Sequence, residues 1–341
     1  MAENLIYSLA ENAYKNNRRL VAPLVGFPGL NLYPSTIKLA QQNSGEQIKV
    51  LQAIEREFHP DVMFPLMDLS VEANALGQYT VFPVDDSATV EQLVKFTEED
   101  LERLQSISLA SDTRAQGYIA TISLMKKTLP SSVSIGCYVS GPYTLTGLLI
   151  GASIAATYTI LNPKLLHSFC KVSAEKIAEY AKELVRAGAE TVCFLEPSGV
   201  MLGPEQFREF SANYIRQIHE EIGASIPAIY HVCGNSMHLI HEMCNAGVQA
   251  LSLDSREAGV DLRSVAESLP KDVVLIGNLC PTGSILTGAP SDVKAEVDEL
   301  LRLMDPFPNF ILSTGCDLPK QTPIENIKAF MDAGRAHRII R

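Results

Sequence analysis

The sequence predicts an α/β protein: a single (β/α)8 barrel that spans residues 1–341, with a small N-terminal insertion of helices and a hairpin. Eight short apolar runs alternate along the chain with amphipathic segments. Strands buried on both faces of a parallel sheet have such nearly continuous apolar sequences. Eight of them, each followed by a helix, fit one closed barrel. The runs cover residues 20–26, 62–68, 133–140, 191–196, 227–232, 250–254, 273–277 and 310–314.

The predicted helices between these strands carry apolar residues at helical spacing and charged residues on the opposite face. The pattern is clearest at 164–187; further helices are expected at 204–222, 291–304 and 323–333. The segment 68–128 is too long for one loop, so we expect a hairpin at 79–84 and helices that cover one end of the barrel. An open doubly wound sheet shows the same alternation. It ranks second because no Gly-x-Gly-x-x-Gly turn follows any strand.

Composition limits the classes of partner and compartment. A formal net charge of −11 disfavours a nucleic acid or an anionic membrane surface as partner. The N-terminus has no secretory pattern, and the most apolar stretch, 145–161, is broken by polar residues and glycine and falls short of a membrane span. We therefore expect a cytoplasmic protein. In a reducing compartment its seven cysteines are thiols, metal ligands or core residues, not a disulfide framework.

Polar residues and soft metal ligands fall where the predicted strands end, while the strand bodies stay apolar. In a barrel the active site gathers at these carboxyl ends. Because the polar residues fall at the strand ends where barrel active sites lie, the sequence predicts an active site and a substrate pocket at one end of the barrel. The pocket residues that we expect there are Asp68, Gly141, Asp254 and Asn278.

The most specific pattern is His-x-Cys at His231 and Cys233. Residues two apart in an extended segment point the same way, so the imidazole and the thiolate can converge on one ion. Cys316 follows the last strand and opens onto the same barrel mouth. One nitrogen and two sulfurs are typical of zinc, and three protein ligands leave a fourth position for exchange. The sequence predicts a catalytic zinc site.

Several of these residues have more than one possible role. His-x-Cys also occurs by chance, and a buried free cysteine is usually a small core residue. Cys280 follows Asn278 at the end of a strand and is a rival ligand. Glu196 is either a fourth ligand or catalytic carboxylate, or a barrel-end carboxylate that binds backbone amides. Asp68 and Glu72 either orient substrate or bind an arginine.

Six segments together resemble the uroporphyrinogen decarboxylase superfamily, and within it the branch of zinc methyltransferases that depend on corrinoid proteins. They are residues 67–77, 140–151, 195–210, 230–235, 276–283 and 313–330. The resemblance spans most of the chain and implies a (β/α)8 barrel. In the methyltransferase branch, a His-x-Cys and a distant Cys bind zinc, which implies the same role for His231, Cys233 and Cys316. Cys280 departs from the pattern, because relatives commonly have Asp there.

This resemblance implies an enzyme that moves a methyl group between cobalamin on a partner corrinoid protein and a zinc-activated small molecule, such as a thiol of the coenzyme M kind. The reverse direction, from a methyl ether, amine or thiol to Co(I), stays open. No basic cluster marks a sulfonate pocket, although Lys320 lies just beyond Cys316. Decarboxylases of the superfamily carry an arginine-rich N-terminal segment, whereas residues 20–35 here contain no arginine. A metal-free lyase and a non-catalytic subunit of a methyl-transfer complex also stay open as functions.

Overall fold

The protein, described by a computed structural model over residues 4–91 and 94–340, has a curved parallel sheet at its centre. Its seven strands run in the order β1-β4-β5-β6-β7-β8-β9, and every neighbouring pair is parallel. A separate antiparallel pair, β2 and β3, lies between β1 and β4, and it extends beyond the hairpin predicted at 79–84 because its second strand is at 89–90. The α/β class is confirmed. The strands are β1 (Val62–Met63), β2 (Thr80–Val81), β3 (Thr89–Val90), β4 (Ser134–Ser140), β5 (Thr191–Leu195), β6 (Ala228–Val232), β7 (Ala250–Leu253), β8 (Val274–Leu279) and β9 (Phe310–Thr314).

Helices follow the strands of the parallel sheet and pack on its outer face. A π-helical turn, Arg208–Ala212, joins α10 to α11, so the helix predicted at 204–222 is continuous but has one wide turn. The helices are α1 (Leu5–Lys15), α2 (Ile37–Gln42), α3 (Ser44–Phe58), α4 (Val71–Ala75), α5 (Leu101–Ser106), α6 (Thr113–Thr128), α7 (Pro142–Ile150), α8 (Ala152–Leu161), α9 (Pro163–Ala187), α10 (Pro204–Phe207), α11 (Asn213–Ile222), α12 (Ile240–Asn245), α13 (Leu262–Ser268), α14 (Ser284–Thr287), α15 (Pro290–Met304) and α16 (Ile324–Ala336).

The two edges of the parallel sheet bond to the same short segment, residues 20–22. On one side, Val21 forms an isolated parallel bridge with Leu312 of β9. On the other side, the carbonyl of Val21 accepts a hydrogen bond from the amide of Asp61, which directly precedes β1. A sheet whose two edges meet through one segment is consistent with a barrel.

The predicted strands 20–26 and 62–68 are wrong in length, because the first is only the bridge at Val21 and the second is only β1. Proline explains both corrections, since it has no N–H to donate to a neighbouring strand. After Pro23, the amide of Leu24 donates to the Thr314 hydroxyl instead of to a backbone carbonyl. After Pro65, the amide of Leu66 likewise donates to a side chain, that of Gln47.

The interior of the curved sheet is filled by apolar side chains, and α1 covers its amino end. Ile6, Ala10 and Ala13 of α1 belong to the same buried cluster as the first residues of β7 and β8, Ala250 and Val274. This packing leaves the carboxyl ends of the strands as the open side of the sheet.

Among the described residues, no single helix is long and apolar enough to cross a membrane. The pair α7 and α8 meets the criteria of length and composition only when taken together, and it is bent by 107°.

Candidate metal centre

A histidine and two cysteines meet at the carboxyl ends of β6 and β9. His231 Nε2 lies 3.2 Å from Cys233 Sγ and 3.8 Å from Cys316 Sγ, and the two sulfurs are 3.6 Å apart. This is the one group of three or more histidine, cysteine or acidic side chains in 4–91 and 94–340 that converges closely enough to hold a metal ion. The structure therefore brings together the three ligands that the sequence predicts.

The strand geometry of β6 aims His231 into the interior of the sheet. Side chains two apart in a strand share a face, and Ile229 belongs to the interior apolar cluster. His231 Nδ1 lies 3.0 Å from the hydroxyl of Ser252, its register partner on β7. When the Nδ1–H donates to Ser252, the lone pair of Nε2 is left facing the two sulfurs, which is the tautomer that a metal requires.

Asp254, directly after β7, lies between the two cysteine loops. Its carboxylate accepts a hydrogen bond of 2.7 Å from the amide of Gly234, the residue after Cys233. Gly234 has φ +79, a left-handed conformation that suits glycine. On the other side, Gly315 packs so closely that an added β-carbon would lie 2.7 Å from the Ser255 amide nitrogen.

The separations of the three ligand atoms fit a tetrahedral zinc ion. With Zn–S of about 2.3 Å and Zn–N of about 2.0–2.1 Å, tetrahedral angles place two sulfurs about 3.8 Å apart and a nitrogen and a sulfur about 3.6 Å apart. The observed distances are 3.6 Å between the sulfurs and 3.2 and 3.8 Å between nitrogen and sulfur. The residues therefore fit the metal that the donor set indicates.

The protonation of Cys316 also depends on a cation. Its contact with the Cys233 sulfur, together with burial, raises the pKa of the Cys316 thiol well above the ordinary value. Without a positive charge nearby, the Cys316 thiol would thus stay protonated. A bound divalent ion reverses this, because it deprotonates thiols that coordinate it.

Replacing Ser252 with alanine is expected to weaken zinc binding by 10–100-fold, roughly the effect of losing the partner that orients a histidine ligand. Competition with a chromophoric chelator measures this affinity. Ser313→Ala is the matched control, because Ser313 is a buried hydroxyl of β9 that donates to the carbonyl of Ala22 and not to a ligand. Equal affinity in Ser252→Ala and wild type would contradict the role of Ser252.

Glu196 lies outside the ligand group, in the layer between the sheet and the helices. Leu195 points into the interior cluster, and Glu196 takes the opposite face. Its carboxylate accepts hydrogen bonds from the amides of Tyr143 and Thr144, in the first turn of α7, and from the hydroxyl of Ser211. Of the two roles that the sequence leaves open, the structure shows the backbone-bound carboxylate. Burial raises the pKa of Glu196.

The predicted pocket residues Asp68, Gly141 and Asn278 also lie outside the ligand group. Asp68 forms an ion pair with Arg114, so of the two options for Asp68 the structure shows the bond to an arginine. An added β-carbon at Gly141 would lie 2.4 Å from the carboxyl of Glu196, so close packing requires glycine there. Asn278 donates to the carbonyl of Asp254 and thereby supports the cysteine loops.

Cys280, the rival ligand, is buried and lies outside the group. Its sulfur is 3.6 Å from the hydroxyl of Thr282. Sequence reasoning missed Ser252, whose hydroxyl is the partner of His231.

Glu72 is a fully buried acid that accepts hydrogen bonds from the amide and the hydroxyl of Ser140. Burial raises its pKa from an ordinary 4.5 to about 7. Between these values the folded protein binds the proton more tightly than the unfolded chain does. The contribution of the protonated Glu72 to the free energy of unfolding is therefore complete below about pH 4.5, and it is lost as the pH rises towards 7.

In wild type, titration of Glu72 should lower the free energy of unfolding by about 3 kcal/mol between pH 4.5 and 7, the pKa values of this group in the unfolded and folded states. We expect Glu72→Gln to remove this part of the decrease. Urea unfolding across this range measures the slope. Burial raises the pKa of Asp317 to about 7 as well, so part of the wild-type slope should remain in the variant. The exposed Glu99→Gln is the control, and an identical slope in wild type and Glu72→Gln would refute the prediction.

A parallel α/β sheet with a histidine and two thiols at the carboxyl ends of its strands defines a barrel-like protein with a candidate site for a soft metal. The chain belongs to the uroporphyrinogen decarboxylase (URO-D) family, whose family model matches residues 44–337. The family assignment made from the sequence is confirmed.

Relatives of the chain include both decarboxylases and methyltransferases. A uroporphyrinogen decarboxylase of Prochlorococcus marinus (strain AS9601) is 23% identical over 287 residues, which cover 82% of this chain and 80% of the relative. A methylcobamide:CoM methyltransferase, MtbA of Methanosarcina mazei, is 26% identical over 247 residues, with coverage of 70% and 69%.

A solved structure supports the fold. The methyltransferase from Methanosarcina mazei superposes with a TM-score of 0.85 at 20% identity, covering 96% of this chain and 98% of that one. At this identity the likeness establishes the common fold, and the chemistry must be argued from the site.

Proposed function

We propose that this protein is a zinc-dependent methyltransferase that exchanges a methyl group between cobalamin on a partner corrinoid protein and a small molecule at the metal. The observation that carries the proposal is the His231, Cys233 and Cys316 triangle, whose separations match those of zinc ligands. Three protein ligands leave one position for a substrate, as in catalytic zinc sites. The methylcobamide named for the relative MtbA supports the corrinoid partner.

The proposal includes one domain over residues 1–341 and a closed (β/α)8 barrel. The segment 20–22 would be its eighth strand, since it bonds both to β9 and to the residue before β1. Barrel enzymes place their active sites at the carboxyl ends of the strands, and the three ligands lie there.

The residues of this chain prepare the site for such chemistry. Ser252 fixes the tautomer and the orientation of His231, and Asp254 holds the Cys233 loop through the amide of Gly234. Bound zinc supplies a Lewis acid that stabilises a thiolate at neutral pH or polarises the heteroatom of a methylated donor. The small molecule is accordingly a thiol acceptor of the coenzyme M kind, or a methyl ether, amine or thiol donor in the opposite direction.

A metal-free lyase is the second candidate, because the family also contains decarboxylases such as the Prochlorococcus relative. Two features oppose it. Residues 20–35 contain no arginine that could hold the carboxylates of a tetrapyrrole, and the chain has a net charge of −11. A non-catalytic subunit would need no metal and would still bind the corrinoid protein.

Metal analysis of wild type and Cys233→Ala separates these functions. We expect about one zinc per wild-type chain and loss of the zinc in the variant, as for a three-ligand site. Methyl transfer between methylcobalamin and a thiol should disappear with the metal. If protein purified without chelator holds no zinc and takes up none on addition, the methyltransferase proposal fails and the lyase becomes the better explanation.

A further inference from the structure

The sulfur atoms of Cys233 and Cys316 are in direct contact, 3.6 Å apart. The two residues follow different strands, β6 and β9, and are 83 positions apart in the sequence. A disulfide bond joins two sulfurs at about 2.05 Å. Closing the gap therefore requires a displacement of about 1.5 Å, shared by two side chains that each rotate about a Cα–Cβ bond.

Exposure distinguishes this pair from most of the other cysteines. Cys233 and Cys316 are both partly exposed, at the carboxyl end of the sheet. Oxidation of a cysteine requires access of the oxidant to its sulfur, and a dissolved oxidant can reach these two. The other five thiols are one that is partly exposed, Cys244 on α12, and four that are buried, Cys137, Cys170, Cys193 and Cys280.

The contact between the two sulfurs determines the product of oxidation by a hydroperoxide. In the first step the O–O bond of hydrogen peroxide breaks, one sulfur gains a hydroxyl group as a sulfenic acid, and one water leaves. In the second step the other thiol attacks this sulfur, the S–S bond forms, and the hydroxyl leaves with the thiol proton as a second water. Two thiols have then given two electrons to one peroxide. Without a neighbouring thiol, a sulfenic acid is open to further, irreversible oxidation to a sulfinic acid.

We propose that Cys233 and Cys316 are a site of reversible oxidation, at which a hydroperoxide converts the metal-free pair to an intramolecular disulfide. The disulfide has no thiolate to offer, so it removes two of the three candidate ligands and leaves His231 alone. Bound zinc, in turn, holds both sulfurs as thiolates and keeps them from joining. The disulfide rests on the geometry of the two sulfurs, whereas its effect on metal binding rests on the proposed function.

The test uses the full chain, freed of metal with a chelator and then treated with hydrogen peroxide. We expect wild type to yield a peptide pair linked through Cys233 and Cys316, which mass spectrometry identifies. Cys244→Ser lacks the other partly exposed thiol and should lose two thiols per chain. Zinc affinity, measured by competition with a chromophoric chelator, should fall by more than about 100-fold and return when dithiothreitol reduces the disulfide. Protein loaded with zinc before the peroxide is added should keep both thiols.

Two variants serve as controls. Cys316→Ser removes the second thiol, so Cys233 should gain oxygen and form no link within the chain. Cys280→Ser changes a buried cysteine outside the ligand group and should form the disulfide as wild type does.

The outcomes separate this inference from the proposed function. If the wild-type pair stays reduced, becomes sulfinic acid without a link, or joins Cys280 instead, the reversible site is refuted. Equal zinc affinity of the disulfide and reduced forms refutes the mutual exclusion of metal and disulfide. If reduced wild type binds no zinc but the disulfide forms, the proposed function fails and the oxidation site stands.

Discussion

Replacement of Cys316 by alanine is expected to abolish zinc binding and methyl transfer while the chain stays folded. The variant keeps two of three ligands, so zinc affinity should fall by more than about 100-fold, beyond the effect of losing a residue that only supports a ligand. Cys316 is only partly buried, and therefore its truncation leaves the apolar core intact. Metal analysis, circular dichroism and a methyl-transfer assay on one preparation measure all three consequences.

Cys280→Ser is the matched control, because it changes a neighbouring cysteine that lies outside the ligand group. It should retain one zinc per chain and wild-type turnover, whatever stability it loses from its buried position. The opposite result, with metal retained in Cys316→Ala and lost in Cys280→Ser, would show that the ligand set is misassigned.

Glu196→Ala is expected to destabilise the protein by about 3–5 kcal/mol, because each buried donor that loses its acceptor costs about 1–3 kcal/mol. The substitution leaves three buried donors, the amides of Tyr143 and Thr144 and the hydroxyl of Ser211, without their acceptor. Urea unfolding measures the loss. Protein that remains folded should still bind zinc, because no Glu196 oxygen belongs to the ligand group.

Glu205→Ala is the control for this experiment. Glu205 also lies at the start of a helix, but its side chain is 81% exposed and its ion pair with Arg208 is long, at 3.9 Å. Its removal should change stability by less than about 1 kcal/mol. Loss of zinc from folded Glu196→Ala, with stability close to that of wild type, would make Glu196 a ligand and not a structural carboxylate.

The convergence of His231, Cys233 and Cys316 could be predicted from the sequence because it depends on local rules. The His-x-Cys spacing places two side chains on one face of a strand, and the position of Cys316 after the last strand places it at the same end of the sheet. The same alternation would have assigned Glu196 to the outer face, one residue beyond inward-pointing Leu195. A residue at a strand end is therefore predicted to lie near the site. Whether its side chain points into the site depends on the alternation of faces along the strand.

Other features depend on contacts between distant parts of the chain, which spacing does not reveal. Ser252 pairs with His231 through the register of β6 and β7, and Ser211 reaches Glu196 from the π-helical turn before α11. The short first strands could have been anticipated, because Pro23 and Pro65 each remove a donor from the sheet. That the amide of Leu24 would then bond to the side chain of Thr314 required the three-dimensional structure.

The position of α1 has a consequence for the order of events in the proposed reaction. Because this helix closes the amino end of the sheet, the proposed small molecule and corrinoid partner would both approach from the opposite end. A docked partner would cover that end, so the small molecule must arrive first and its product must leave after the partner departs. The kinetic signature is compulsory-order binding, in which excess corrinoid protein inhibits turnover and more small-molecule substrate relieves the inhibition.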